Sequence, residues 1–400
     1  HLAVNDIPTL APLCLSLVGI GGIYRRGRLT DYALAGAALG LACATKYTAG
    51  ILALCLLAAA RENRVRGLAL AGGLAVAGFL VANPYALLDL ESFKAGLAEQ
   101  SSASSDGGGK LGLVGESGHL YYLSTLTWGL GWLPALAAAV GAVWLSFRDR
   151  RLALVLVPAP VLFLLFMGAQ DRFFARWLLP VYPLLCLLAA WTAVELTRRR
   201  PAWAVAAVTA LLCAQGLVFS IHNDVVLARD DTRALARAWM VENIPEGERV
   251  VIEPIAPDQW AMDTGRPSAA TGTGNRWNKW LTSRFRGEII KLEDYERTLR
   301  PGLLGRYARA GYCHVVTGST QYGRALNEPE EVPGAIAYYD ELRRRAEVVY
   351  RTGPRGEEPV RRFSFDFSFN SYPLDYERPG PEVVIYRLRG CGTGTSTTAG

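Results

Sequence analysis

A carboxylate and three cations stand out in a stretch of chain that is otherwise apolar: Asp6, Lys46, Arg172 and Arg176. Asp6 sits in His1-Leu2-Ala3-Val4-Asn5-Asp6-Ile7-Pro8, just before a hydrophobic block. An acid followed by proline is also how many helices begin, so capping is its plain structural role. Lys46 lies in Ala44-Thr45-Lys46-Tyr47-Thr48 between two short apolar blocks, where a lysine can simply snorkel toward lipid headgroups. Arg172 and Arg176 share Gln170-Asp171-Arg172-Phe173-Phe174-Ala175-Arg176-Trp177. One of them can pair with Asp171; the other asks for an anion from elsewhere. Tyr47, Glu116, His119 and Tyr122 lie at the ends of the same blocks and are candidates for an acceptor site or cavity wall. The pair Tyr121–Tyr122 equally suits an interfacial aromatic belt.

One carboxylate with several cations at headgroup depth suits transfer of a sugar from a lipid-linked sugar phosphate. The carboxylate takes the proton of an acceptor hydroxyl as the sugar C1 becomes oxocarbenium-like, with inversion at that carbon. The departing lipid phosphate is already a weak base, so it calls for cations or a divalent metal, not a general acid. Other chemistries find little footing. Gly107-Gly108-Gly109-Lys110 superficially matches a phosphate loop but lacks the first glycine at its spacing and the following Ser or Thr. No GxGxxG appears. Cys14, Cys43, Cys55, Cys186 and Cys213 lie in apolar blocks and act as small hydrophobes. Cys313 and Cys391 show neither CxxC nor metal-finger spacing, and two free thiols are favoured over a disulfide.

The elements that must carry these residues follow from the distribution of charge. Hydrophobic residues make up 51% of the 400 and charged ones 20%, with a net charge of +6. Before residue 222 the chain alternates apolar blocks with arginine clusters; after it the charges spread evenly. The positive balance therefore reads as membrane topology, and nucleic acid is not an expected partner. The blocks run approximately 9–24, 31–45, 47–60, 67–82, 119–147, 152–168, 177–196 and 202–221, about eight spans. Read as one helix, 31–60 would be ~45 Å long, well beyond a hydrocarbon core of ~30 Å. Read as a hairpin turning at Lys46, it places the clusters at Arg25/Arg26/Arg28, Arg61/Arg64/Arg66, Arg148/Arg150/Arg151 and Arg198/Arg199/Arg200 on one side, which the positive-inside rule makes cytoplasmic. The site residues and everything after 222 then face outside, in the cell (plasma or inner) membrane.

Beyond Asp230 the pattern changes to amphipathic helices and short apolar runs. Helices are expected from Asp231 to about Asn243, at 301–310 and near 334–346, with strands at 249–253, 312–317, 346–350 and 381–388. The fold class is thus a polytopic α-helical membrane domain over 1–222 followed by a small soluble α/β domain over 223–389, with a disordered tail at 390–400.

The first 222 residues resemble the GT-C fold glycosyltransferases that use polyprenyl-phosphate sugars, such as the protein O-mannosyltransferase-like and aminoarabinose-transferase-like enzymes. The resemblance lies in Asn5-Asp6-Ile7-Pro8, in Ala35-Gly36…Gly40-Leu41-Ala42…Thr45-Lys46-Tyr47, in Asn83-Pro84-Tyr85-Ala86-Leu87-Leu88-Asp89 and in Arg176-Trp177-Leu178-Leu179-Pro180-Val181-Tyr182-Pro183, in that order. It implies a polyprenyl-phosphate sugar donor and an extracytoplasmic glycan, lipid or protein acceptor. It also implies a donor-phosphate role for Lys46, Arg172 and Arg176, and a secondary acidic role for Asp6. The family's principal acid belongs to a first outer loop, expected upstream of His1 in a longer chain. The soluble part resembles the extracytoplasmic domains that follow such membrane cores in bacterial proteins. A lipid or sugar transporter, or a non-catalytic assembly protein, is the alternative; the former should show charges at span centres and internal repeats.

Overall fold

The computed structural model describes residues 6–105, 111–112, 117–256, 258–261, 276–280, 284–285, 288–289, 294–356, 363–369 and 371–391. The chain divides into two compact units, one of residues 1–108 and 115–218, the other of 109–114 and 219–400.

Helices build the first unit. They are α1 (Asp6–Arg25), α2 (Leu29–Thr45), a 3-10 segment (Tyr47–Leu52) running into α3 (Ala53–Ala59), α4 (Arg64–Ala82), α5 (Tyr85–Leu88) and α6 (Leu90–Ser105). Then come α7 (Gly118–Thr125), a π-helical turn (Leu126–Gly131), α8 (Trp132–Arg148), α9 (Arg150–Leu156), α10 (Pro158–Gly168), a 3-10 segment (Ala175–Val181), α11 (Tyr182–Thr197) and α12 (Ala202–Leu227). Among the described residues six helical stretches are long and apolar enough to cross a membrane, beginning at Asp6, Arg64, Gly118, Arg150, Ala175 and Ala202. Leu29–Thr45 and Tyr47–Ala59 are shorter apolar helices, as expected for the two arms of the hairpin.

The hairpin itself is visible in its hydrogen bonds. Lys46 breaks the helix with an extended backbone, φ −154° and ψ 117°. Past α3 the chain returns to where α2 began: the Tyr32 hydroxyl donates to the Glu62 carbonyl at 2.9 Å, and Asn63 Nδ2 donates to the Gly27 carbonyl at 3.2 Å. At the same end Arg151 donates to the Tyr24 carbonyl and the Tyr24 hydroxyl to Asp149. Three arginine clusters therefore gather at one end of the unit.

Small residues set how closely these helices pack. Gly36 and Gly40, one turn apart on α2, lie against Ala71 and Ala75 of α4, and a side chain on either glycine would overlap the facing carbonyl. Such small-residue seams let backbones approach where lipid removes the hydrophobic drive for association. Leu13, Ile20, Ile23, Tyr32, Leu52 and Cys55 fill the space between α1, α2 and α3. A second cluster, with Tyr122, Phe163, Leu178 and Leu188, ties α7, α10 and α11 together. At the π-turn Gly131 takes φ +108°, and Gln215 of α12 repairs the break: its Oε1 accepts from the Trp132 N–H at 2.9 Å and its Nε2 donates to the Thr127 carbonyl at 2.8 Å. An interrupted helix inside hydrocarbon needs such a polar partner.

The second unit is a small mixed sheet with helices. After α13 (Thr232–Asn243) come β1 (Arg249–Ile252), β2 (Asn278–Trp280), a two-residue pair β3 (Arg284–Phe285) and β4 (Glu288–Ile289), α14 (Tyr295–Thr298), α15 (Gly302–Arg309), β5 (His314–Gly318) and α16 (Ser319–Asn327). The chain ends with α17 (Pro333–Arg345), β6 (Ala346–Thr352), α18 (Phe365–Phe369) and β7 (Val383–Leu388). The main sheet has the order β2-β1-β5-β7-β6; β1 runs parallel to β2 and β5, and β7 antiparallel to β5 and β6. All four expected strands lie in it. Asp231 caps α13, accepting from the Arg233 N–H at 2.8 Å. Leu111, fully buried, enters a core with Tyr295, Leu304, Val315 and Leu342, and is held by Arg324 Nε donating to its carbonyl at 3.1 Å.

Against the expectation of free thiols, Cys313 and Cys391 form a disulfide with Cα atoms 5.4 Å apart. The antiparallel β5–β7 pairing carries the two cysteines together across 78 residues, which spacing alone does not reveal. Cys391 is buried, so the chain is fixed to that point; the rest of the expected tail, 392–400, lies outside the described residues.

Candidate functional site

At the end of the first unit opposite the arginine clusters, Asp6 begins α1 and is only 3% exposed. Its first-turn proline, Pro8, costs nothing there because that N–H has no helical partner. The carboxylate is gripped from two sides. Lys46 Nζ, placed by the break after α2, forms an ion pair with Oδ1. Arg176 Nε, on the first turn of the 3-10 segment before α11, lies 3.4 Å from Oδ2. Asn83 Nδ2 donates to the Ala44 carbonyl at 2.9 Å, fixing the end of α2 two residues before the lysine. The Asn83-Pro84 turn is therefore a positioning feature for Lys46.

Arg172 joins through an aromatic ring. The buried Phe174 ring has the Arg172 guanidinium carbon 4.9 Å and the Arg176 guanidinium carbon 4.4 Å from its centre. A ring face attracts cations by its quadrupole, and two guanidiniums on one phenyl are held near each other despite like charge. Asp171, the other acid of this loop, is exposed. Two cations thus contact the buried Asp6 carboxylate, and the shared Phe174 ring holds a third close to one of them, in a region where charge is costly to bury.

The remaining candidates divide. Tyr121 and Tyr122 pack on Phe173, with ring centres at 5.1 and 6.4 Å, so the start of α7 adjoins the arginine loop. His119 lies against Gly168, whose Cβ position would overlap the imidazole. Tyr47 is half exposed and pairs with Phe79 and Phe93 in an aromatic trio, not with the carboxylate. Glu116 lies outside the described residues. Two residues were missed from the sequence. Phe174 reads as one more apolar residue, although its position between two arginines hints at a shared ring. Thr48 Oγ1 is buried with no hydrogen-bond partner among the described residues, and only the packing around it shows that. Among the described residues no three His, Cys, Asp or Glu side chains group to hold a metal.

No family model matches the chain, and no curated protein matches it. Among solved structures, a cryo-EM structure of a mutant of the arabinofuranosyltransferase AftD from Mycobacteria aligns with a TM-score of 0.36 at 17% identity, covering 97% of this chain and 31% of that one. The chain thus spans about a third of that protein's length.

Proposed function

We propose that the first unit is a membrane glycosyltransferase that moves a sugar from a polyprenyl-phosphate donor to an acceptor on the extracytoplasmic side. The supporting observation is the grouping of Lys46 and Arg176 on the buried Asp6 carboxylate, with Arg172 beside Arg176 on the Phe174 ring. Cations grouped at the end of a membrane span suit an anionic ligand, and a lipid phosphate arrives at that depth by nature of its tail. In the reaction the acceptor oxygen bonds to C1 while the bond from C1 to the phosphate oxygen breaks. The electron pair leaves with the phosphate, where the cations stabilise it. Asp6 has both oxygens engaged by cations, so its part is to orient Lys46 and Arg176. Removing the acceptor proton falls to another carboxylate. By the positive-inside rule the arginine clusters are cytoplasmic and the cluster faces outward.

The test has two readouts on the protein in lipid nanodiscs. Mass spectrometry should find a polyprenyl-phosphate sugar co-purifying with the unaltered chain and depleted from Lys46→Met and Arg176→Met. Transfer from a synthetic polyprenyl-phosphate sugar, measured on the longest natural form of the protein, should fall in the same variants. Undiminished retention and transfer in both would sink the reading.

A further inference from the structure

A cavity of about 450 Å³ opens in the second unit where β5 ends and α16 begins. Its size falls in the range of small-molecule sites, roughly 300–1,000 Å³. One wall is a single face of α16: Ser319, Tyr322, Gly323, Leu326 and Asn327 recur at the spacing of successive helical turns. Tyr339 and Arg343, one turn apart on α17, face it, and Arg351 and Glu382 close the sheet side.

The charges here are arranged differently from those beside Asp6. Arg343 is paired with Asp340 and donates to the Tyr322 hydroxyl at 2.7 Å. Arg351 Nη1 lies 3.3 Å from Glu382 Oε1. Each cation already has its own counter-charge, so an anion gains little by entering. A sugar hydroxyl is donor and acceptor at once, and can use the N–H groups of both arginines and the Glu382 carboxylate without breaking either pair. The apolar part of the wall, with Tyr322, Tyr339, Phe363 and the 47% exposed Leu326, suits the C–H face of a sugar ring. Glu382 is held in place before any ligand arrives: its N–H donates to Ser319 Oγ at 3.0 Å, and the Ser319 N–H donates to its carbonyl at 2.9 Å. Such preorganisation lowers the cost of binding.

We propose that this cavity binds an uncharged saccharide of one or two residues, as a site of its own in the second unit. The inference stands on this unit's side chains and does not rest on the transferase reading. The full chain in nanodiscs is probed by saturation-transfer NMR with a panel of methyl hexopyranosides and methyl pentofuranosides, and in parallel with inorganic phosphate. At least one glycoside should bind. Leu326→Trp, which fills the cavity, and Arg351→Ala, which removes a donor, should each weaken it roughly tenfold or more. Melting curves show that both variants fold, and if Leu326→Trp does not, Arg351→Ala decides. Lys46→Met should leave glycoside binding intact, so this site and the donor site fail separately. Absence of any glycoside signal, unchanged binding in the folded variants, or displacement of the glycoside by phosphate would overturn the proposal.

Discussion

The ion pair between Asp6 and Lys46 joins residues 40 positions apart, and its energetics separate folding from donor binding. Removing one partner of a buried pair leaves an uncompensated charge and costs about 3–5 kcal/mol, whereas replacing both with neutral groups is close to neutral. Asp6→Asn should therefore destabilise the first unit by that order, and the double variant Asp6→Asn/Lys46→Met should recover the part owed to Lys46, Arg176 still having lost its contact with Asp6. If Lys46 holds phosphate, the double variant stays deficient in donor retention although part of its stability returns. Thermal melts beside lipid analysis decide it; recovery of both together would make the pair purely structural. A second buried acid gives a pH signature. Glu253 accepts from Tyr339 at 2.8 Å, Tyr295 at 3.2 Å and the Gly318 N–H at 3.0 Å, yet burial pushes it up to about 8. The folded state then binds a proton that the unfolded state has released, so stability falls as pH rises from the ordinary carboxyl range toward 8, by at most about 1.4 kcal/mol per pH unit. Glu296, pushed up to about 7 by burial, adds the same sign. Denaturation of the wild type and Glu253→Gln across pH 5–8 should show the variant with the shallower slope.

At the scale of elements, the π-turn between α7 and α8 depends on one side chain. Gln215→Leu orphans the Trp132 N–H and Thr127 carbonyl in an apolar setting, at about 1–3 kcal/mol for each unsatisfied group. Gln215→Glu keeps the acceptor for Trp132 but loses the donor to Thr127, and should fall between. Heat-inactivation rates in nanodiscs can order the three proteins. The apolar blocks were legible because a span needs length and apolarity, both local properties of sequence. The hairpin at Lys46 was legible from arginines alone. What sequence did not show depends on distant partners. β2 is three residues, Asn278-Lys279-Trp280, too short and polar to announce a strand. α16 contains Gly323 and ends at Asn327, a pattern that reads as loop until its face meets α17. Asp6, Lys46 and Arg176 were each visible as candidates, while Phe174 became meaningful only once its ring was seen between two guanidiniums.

For the whole molecule, the side on which each charge cluster lies can be measured directly. With the five unpaired cysteines replaced by serine, Gly27→Cys, Arg64→Cys, Arg150→Cys and Arg199→Cys should label from one side of sealed cells and Phe173→Cys from the other. Labelling of position 64 from outside together with position 27 from inside would defeat the hairpin. The same molecule has an unusual thread. The chain leaves the first unit at 109, gives Leu111 to the core of the second, returns at 115, and departs finally at 219. In effect the second unit is a receptor, and Leu111 is the anchor of a ligand whose chain runs on to α6 on one side and α7 on the other. Nicking the backbone between Ala228 and Asp231 should then leave two fragments that co-purify, because Leu111 and the end of α12 are two attachments carried on one fragment, and each raises the effective concentration of the other. Leu111→Asp should raise the share of distal fragment lost on nicking, since only the end of α12, through Asn223 and Val226, then holds it.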